Sequence, residues 1–216
     1  VSSATRLVFF ATPNNPTGVP LSSEDIEKVV KGVPDTALLI IDEAYFEFAM
    51  EAGCGNSLKI LRKRTGPWAI LRTFSKAFGL AGLRVGYLIC GSEQVYLAFS
   101  AARTSFNVNR IAQIAAEAAL EDLNYMQDMV RDTISQRQYL YRGLVNLGCS
   151  PFDSVANFVM AKTPKSAKLI TQELGKQNIL ISQINQNGFE DFIRVTASGK
   201  KETDIFLEAL RVILGN

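Results

Sequence analysis

Ala37-Leu38-Leu39-Ile40-Ile41 is an unbroken apolar run that stops at Asp42-Glu43-Ala44-Tyr45. A strand with one wet face alternates apolar and polar residues. A strand that is apolar throughout is covered on both faces, as in a parallel sheet between helices. The segments before it agree. Arg6 to Ala11 reads as a short buried strand, ended by Thr12-Pro13-Asn14-Asn15-Pro16-Thr17-Gly18, a composition that suits neither helix nor strand. Ser22 or Ser23 can cap a helix, with Glu24 and Asp25 in its first turn and Ile26, Val29 and Val30 at helical spacing. Gly32 and Pro34 mark its stop. Strand, helix and strand form a βαβ unit, and such sheets gather ligands at the carboxyl ends of their strands.

A third apolar run, Trp68 to Leu71, leads into Thr73-Phe74-Ser75-Lys76-Ala77-Phe78-Gly79-Leu80-Ala81-Gly82-Leu83-Arg84, and Val85 to Cys90 leads out. Three polar clusters therefore follow three successive strands: Asn14-Asn15, Asp42 to Tyr45, and the Lys76 stretch. The hydroxyls and Arg84 can hold a phosphate, and Lys76 can act as an amine nucleophile if partly desolvated. Each residue also has a plain structural reading. Lys76 reads as a solvated lysine near a turn, Asp42 as a helix cap, Tyr45 as a core aromatic and Asn15 as an Asx turn before Pro16. The functional alternatives converge on one chemistry, that of pyridoxal phosphate. Lys76 would carry it, Asp42 would keep its pyridinium nitrogen protonated, and Tyr45 and Asn15 would hydrogen-bond its phenolic oxygen. Gly79, Gly82 and Gly86 lack the spacing of a dinucleotide fingerprint.

Composition narrows the field. The chain has no histidine, which removes His-based triads and histidine ligands for zinc. A net charge of +2, with Lys and Arg scattered, gives no electrostatic case for nucleic acid or an anionic membrane surface. No apolar run approaches a membrane span, and Val1 to Arg6 lack the pattern of a signal peptide. Cys54, Cys90 and Cys149 are odd in number and widely spaced, which fits free thiols in a reducing compartment, so a cytoplasmic location is expected.

Further along, residues 46–67 are mixed, with a short helix expected around Leu58 to Lys63. Ser92 can cap a helix to about Ala101. Helices are expected over Arg110–Glu121 and Leu123–Leu147, with Gly148 just past the end. After Pro151 the pattern predicts strands over Asn157–Ala161, Asn178–Ser182 and Phe192–Thr196, and helices over Ala167–Lys176 and Glu202–Leu214. That order suits a small α+β domain. The expected division is residues 1–145, part of a large α/β domain, and 146–216, a small C-terminal domain.

Asn14-Asn15-Pro16-Thr17-Gly18, Asp42-Glu43-Ala44-Tyr45 and Ser75-Lys76-Ala77-Phe78-Gly79-Leu80-Ala81-Gly82-Leu83-Arg84-Val85-Gly86 together resemble the fold-type I aminotransferases, most closely the histidinol-phosphate group. The resemblance runs from about residue 6 to residue 213. It implies an α/β fold: the C-terminal part of a large, mostly parallel-sheet domain, plus a small α+β domain. It implies pyridoxal 5′-phosphate as cofactor, an amino donor and a 2-oxo acid as substrates, and a homodimer. Lys76 matches the lysine that bonds the cofactor and later moves the substrate Cα proton. Asp42 matches the pyridinium partner, and Asn15 and Tyr45 the phenolic-oxygen contacts. Thr73, Ser75 and Arg84 match the phosphate site. Arg194, in Phe192-Ile193-Arg194-Val195-Thr196, matches the arginine that binds the substrate's anionic group. Arg103 matches a family loop near the subunit interface.

Two departures stand out. Ser182-Gln183 occupies the place where the group usually has a second arginine for the phosphate of histidinol phosphate. That leaves room for an ordinary amino acid or another small amine. The family also has an N-terminal portion before the equivalent of Val1, carrying a phosphate-binding loop and a ring-stacking aromatic. The resemblance extends to amino-acid-phosphate decarboxylases. A non-catalytic fragment of an aminotransferase fold is the alternative from another class.

Overall fold

A computed structural model describes residues 1–215. The first sheet contains β1 (Leu7–Ala11), β2 (Leu38–Asp42), β3 (Trp68–Thr73) and β4 (Gly86–Cys90), in that spatial order. β1, β2 and β3 run parallel, and β4 is antiparallel to β3. The register pairs Ala11 with Asp42 and Asp42 with Leu71. The carboxyl ends of three strands are therefore aligned, as the βαβ pattern predicts.

The crossover helix α1 (Ser23–Gly32) starts where the sequence places it. Ser22 is the cap, and its side chain accepts from the Asp25 N–H. Two short helices, α2 (Phe46–Glu51) and α3 (Ser57–Leu61), follow β2. One sheet face packs on α1 and α3. Leu39 and Ile41 of β2 and Trp68 and Ile70 of β3 meet Ile26, Val30 and Leu61 in a continuous apolar core. Side chains alternate across a strand, so Ile40, Asp42, Leu71 and Thr73 belong to the other face. On β1 that face carries Leu7 and Phe9, which are 54% and 53% exposed.

After β4 come α4 (Glu93–Ala102), α5 (Arg110–Glu121) and the long α6 (Leu123–Asn146). Ser92 and Asn109 cap α4 and α5 through their side-chain oxygens. The second sheet has the order β5 (Ser150–Pro151), β6 (Phe158–Lys162), β8 (Phe192–Thr196), β7 (Ser182–Gln183), all antiparallel. Helices α7 (Ala167–Gly175) and α8 (Lys200–Leu214) complete the chain. Val159, Ala161, Ile193 and Val195 face a second core built with Leu140 and Leu144 of α6, Ile170 and Leu174 of α7, and Phe206 and Leu210 of α8.

The polypeptide forms two compact units. One comprises Val1–Pro13 and Pro20–Val130; the other comprises Asn14–Val19 and Arg131–Asn216. They divide inside α6, earlier than the expected domain boundary near residue 145, and the Asn-Pro-Thr-Gly segment belongs with the second unit.

Two expectations differ from the structure. The strand expected over Asn178–Ser182 shrinks to Ser182–Gln183. Asn178 adopts φ +60 and the Ile179 N–H returns to Leu174 O, so these residues terminate α7 instead of extending. Leu180 is left 89% exposed. Helix α2 was not expected, because six residues carry little periodicity and Tyr45 provides no side-chain cap.

Candidate active site

β3 delivers the Lys76 stretch to the aligned strand ends. Past Thr73 the chain closes a compact loop in which the Leu80 N–H donates to Phe74 O and the Gly79 N–H donates to Lys76 O. Gly79 has φ +71, a left-handed conformation that glycine adopts without strain. Phe74, Ala77 and Phe78 are buried, and the Phe74 and Phe78 ring centroids lie 4.9 Å apart. The aromatics anchor the loop and Lys76 remains half-buried between them. Its Nζ lies 5.6 Å from the centroid of the buried Tyr45 ring.

Hydroxyls cluster beside it. Thr73 Oγ1 accepts from the Ser75 N–H at 3.1 Å and lies 3.0 Å from Ser75 Oγ. A short 3₁₀ turn, Ala81–Leu83, then leads to Arg84, which has φ 55 and an exposed side chain. Arg84 Nη1 donates to Ala81 O at 2.8 Å. That single bond leaves most of the guanidinium fork open for an anion. Asp42, at the end of β2, accepts from the Ala44 N–H on Oδ1 at 2.9 Å. One oxygen is used locally, so a carboxylate oxygen remains for a cation. The first unit thus holds an amine, a phenol, a carboxylate, two hydroxyls and a guanidinium. This donor set suits a phosphorylated aromatic aldehyde with a ring nitrogen.

The second unit holds the other predicted residues. Arg194 pairs with Ser182 across β8 and β7 and lies on the sheet face opposite the core. Its Nη1 donates to Asn15 Oδ1 at 2.6 Å and its Nη2 to Ser182 Oγ at 3.4 Å. Its guanidinium carbon sits 5.1 Å from the Phe158 ring centroid. Asn15 is held by its own segment: Asn14 Nδ2 donates to Thr17 Oγ1, and the Gly18 N–H donates to Asn14 O. The Val155 N–H donates to Gly18 O, which fixes that segment to the second unit. Arg103 lies just past α4 and lines a cavity of about 620 Å³ with Tyr87, Tyr96 and Asn107.

Glu43 and Arg72 have no role predictable from the sequence alone. Arg72 Nε donates to Glu43 Oε2 at 2.8 Å, and Nη2 lies 2.8 Å from the same oxygen, outside hydrogen-bond geometry. The side chains are 3% and 9% exposed, Glu43 and Arg72 respectively. The available signal was an arginine and a glutamate at matching positions after two apolar runs. Nearby, burial pushes the Glu47 carboxyl up from its ordinary range, against the opposing pull of Arg72.

Comparison with known proteins follows the same lines. The family model described as "Aminotransferase class I and II" matches residues 1–210. Histidinol-phosphate aminotransferase 2 of Carboxydothermus hydrogenoformans is 39% identical over 215 residues, covering 99% of this chain and 59% of that protein. The crystal structure of histidinol-phosphate aminotransferase from Sinorhizobium meliloti in complex with pyridoxal-5′-phosphate superposes with a TM-score of 0.88 at 31% identity. That match covers 96% of this chain and 57% of the other. L-threonine-O-3-phosphate decarboxylase from Porphyromonas gingivalis shares the fold, with a TM-score of 0.84 at 23% identity, over 99% of this chain and 66% of the other. The chain thus spans less than two thirds of these relatives. The architecture is the α/β fold of fold-type I PLP-dependent transferases. By the match over nearly its whole length, the chain belongs to the aminotransferase class I and II family.

Proposed function

We propose that the protein is a pyridoxal 5′-phosphate-dependent aminotransferase of the histidinol-phosphate type, moving an amino group from a small amino compound to a 2-oxo acid. The observation that carries this reading is the placement of Lys76. It stands in the loop past β3, near the Tyr45 ring, and β3 pairs with β2, whose aligned end carries Asp42. Pyridoxal 5′-phosphate supplies the electron sink that makes the substrate Cα proton removable.

The chain's own residues do the rest. Lys76 Nζ bonds the cofactor and later takes and returns the Cα proton as general base and acid. Asp42 keeps the pyridine nitrogen protonated through its negative charge. The Tyr45 hydroxyl and the Asn15 amide donate to the phenolic oxygen. Arg84, with Thr73 and Ser75, binds the phosphate through charge-assisted hydrogen bonds. Arg194 binds the substrate's carboxylate, with Ser182 completing the edge of that subsite. One arginine beside a serine suits an amino acid at least as well as a phosphorylated amine. A homodimer and a small C-terminal domain from residue 146 are part of the same reading.

The test is direct. The protein is incubated with pyridoxal 5′-phosphate, reduced with borohydride, digested and mapped by mass spectrometry. The label should sit on Lys76; label elsewhere, or none, overturns the assignment. With amino donors supplied, a 2-oxo product supports transamination, and released carbon dioxide would instead identify a decarboxylase. Light scattering gives the subunit count.

A further inference from the structure

The carboxyl ends of β2 and β3 carry different chemistry on their two faces. Asp42 pairs with Leu71, so Glu43 and Arg72 are the next matched positions. Alternation puts Asp42 and Thr73 on one face and Glu43 and Arg72 on the other, in line with Leu39, Ile41, Trp68 and Ile70. The Glu43–Arg72 pair therefore closes the end of the first core, directly behind the candidate site. It ties Arg72 of β3 to Glu43, one residue past β2, where the two strands have no covalent link. The Glu43 N–H donates to Leu71 O, and the Arg72 guanidinium lies 3.3 Å from the centroid of the Phe46 ring. Phe46 begins α2, right after Tyr45. One buried guanidinium thus spans β2, β3 and α2, the three elements from which Asp42, the Thr73–Lys76 loop and Tyr45 project.

We infer that Glu43 and Arg72 are positioning residues, setting the distance between the Asp42 carboxylate and the Thr73–Lys76 loop. The inference rests on the cofactor reading above for its consequence, but not for its geometry. A planar guanidinium bonded to a carboxylate and stacked on an aromatic has one favoured arrangement, which an apolar filler of equal volume lacks. Replacement of a buried ion pair by well-packed apolar groups is often tolerated by the fold. Stability and positioning can therefore be separated.

The experiment compares the 216-residue chain with Glu43→Gln, Arg72→Met and an apolar double variant, Glu43→Leu with Arg72→Met. Amide hydrogen exchange is followed at Ala44, whose N–H bonds Asp42 Oδ1, and at Ser75, whose N–H bonds Thr73 Oγ1. Both amides should exchange about tenfold faster in the double variant, while the central ladder amides of Ile41 and Ile70 keep their protection. Ala44 and Ser75 rates within about twofold of the parent, with the variant folded, would overturn the inference. Should the double variant not fold, Glu43→Gln alone is read by the same two amides, since it keeps shape and one acceptor. Pyridoxal 5′-phosphate affinity, from quenching of the single tryptophan Trp68, should fall about tenfold in parallel. A parent chain that binds no cofactor would count against the proposed function, whereas unchanged exchange would count against the positioning role.

Discussion

Arg194 and Asn15 lie 179 positions apart in sequence, yet the arginine donates to the Asn15 side-chain oxygen at 2.6 Å. A guanidinium has no acceptor, so this bond settles which end of the Asn15 amide faces it. The oxygen turns toward Arg194 and the NH₂ turns away as a donor. An asparagine proposed to donate to a phenolic oxygen needs that orientation.

Arg194→Lys should raise the KM for the amino donor by about tenfold or more, with a smaller effect on kcat. Lysine keeps the charge but cannot serve Asn15 and Ser182 with two nitrogens of one plane. Steady-state kinetics in donor concentration, at saturating 2-oxo acid, measure the split. An unchanged KM would remove Arg194 from the substrate subsite.

Arg64 predicts a purely structural loss. Its side chain is 3% exposed. Nη1 donates to Val30 O and Val33 O, and Nη2 to Pro34 O and Ala37 O. The cation stands at the carboxyl end of α1, where the helix dipole favours it. Arg64→Met removes four donated hydrogen bonds, with Pro34 O keeping a second donor in the Ala37 N–H, and should lower unfolding free energy by about 3 kcal/mol. Urea denaturation followed by circular dichroism checks this.

Gly18→Ala should destabilise the second unit by about 2 kcal/mol. Gly18 has φ +74, and a Cβ there would meet Ser154 Oγ at 1.9 Å and Ser154 Cβ at 2.5 Å. The same change pushes on the segment that holds Asn15, so donor KM should rise as the melting temperature falls. Paired melting curves and kinetics show whether the two move together.

Cys149 predicts a pH effect. Burial raises its thiol from an ordinary 9.0 to about 11. The folded state therefore keeps a proton that the unfolded state releases between those values. Stability from this group is fully present below pH 9 and is lost as pH rises through about 11. Denaturation of the parent and of Cys149→Ala at several alkaline pH values should show the shallower decline in the variant.

Legibility in the sequence followed the physics of each residue. Local signals were readable wherever one residue type has one job: Ser22 or Ser23 before Glu24-Asp25 predicts a cap, and Ser22 is the one. The unbroken apolar run before Asp42 predicted a doubly covered parallel strand, and β2 is the second strand of an ordered parallel set. Ile179-Leu180-Ile181 misled because β-branched and aliphatic residues also serve to end a helix when a left-handed residue precedes them. Asn15 and Arg194 were each singled out, but their bond was not foreseeable, since nothing local links positions so distant. Glu43 and Arg72 were overlooked because charged residues after apolar runs usually mark solvent, and here they close a core instead.

The assignment of Asn14–Val19 to the second compact unit has a practical result. The polypeptide leaves the first unit between Pro13 and Pro20, returns, and leaves again within α6. Neither unit is a continuous stretch of gene. A clone beginning at residue 131 would lack the strap that bonds Arg194 and Val155. A single protease nick in α6 would not separate the pieces cleanly, because the amino-terminal fragment still carries part of its neighbour's fold. Fragment complementation in this protein therefore has to respect three crossings, and isolating either half means joining two separate stretches of sequence.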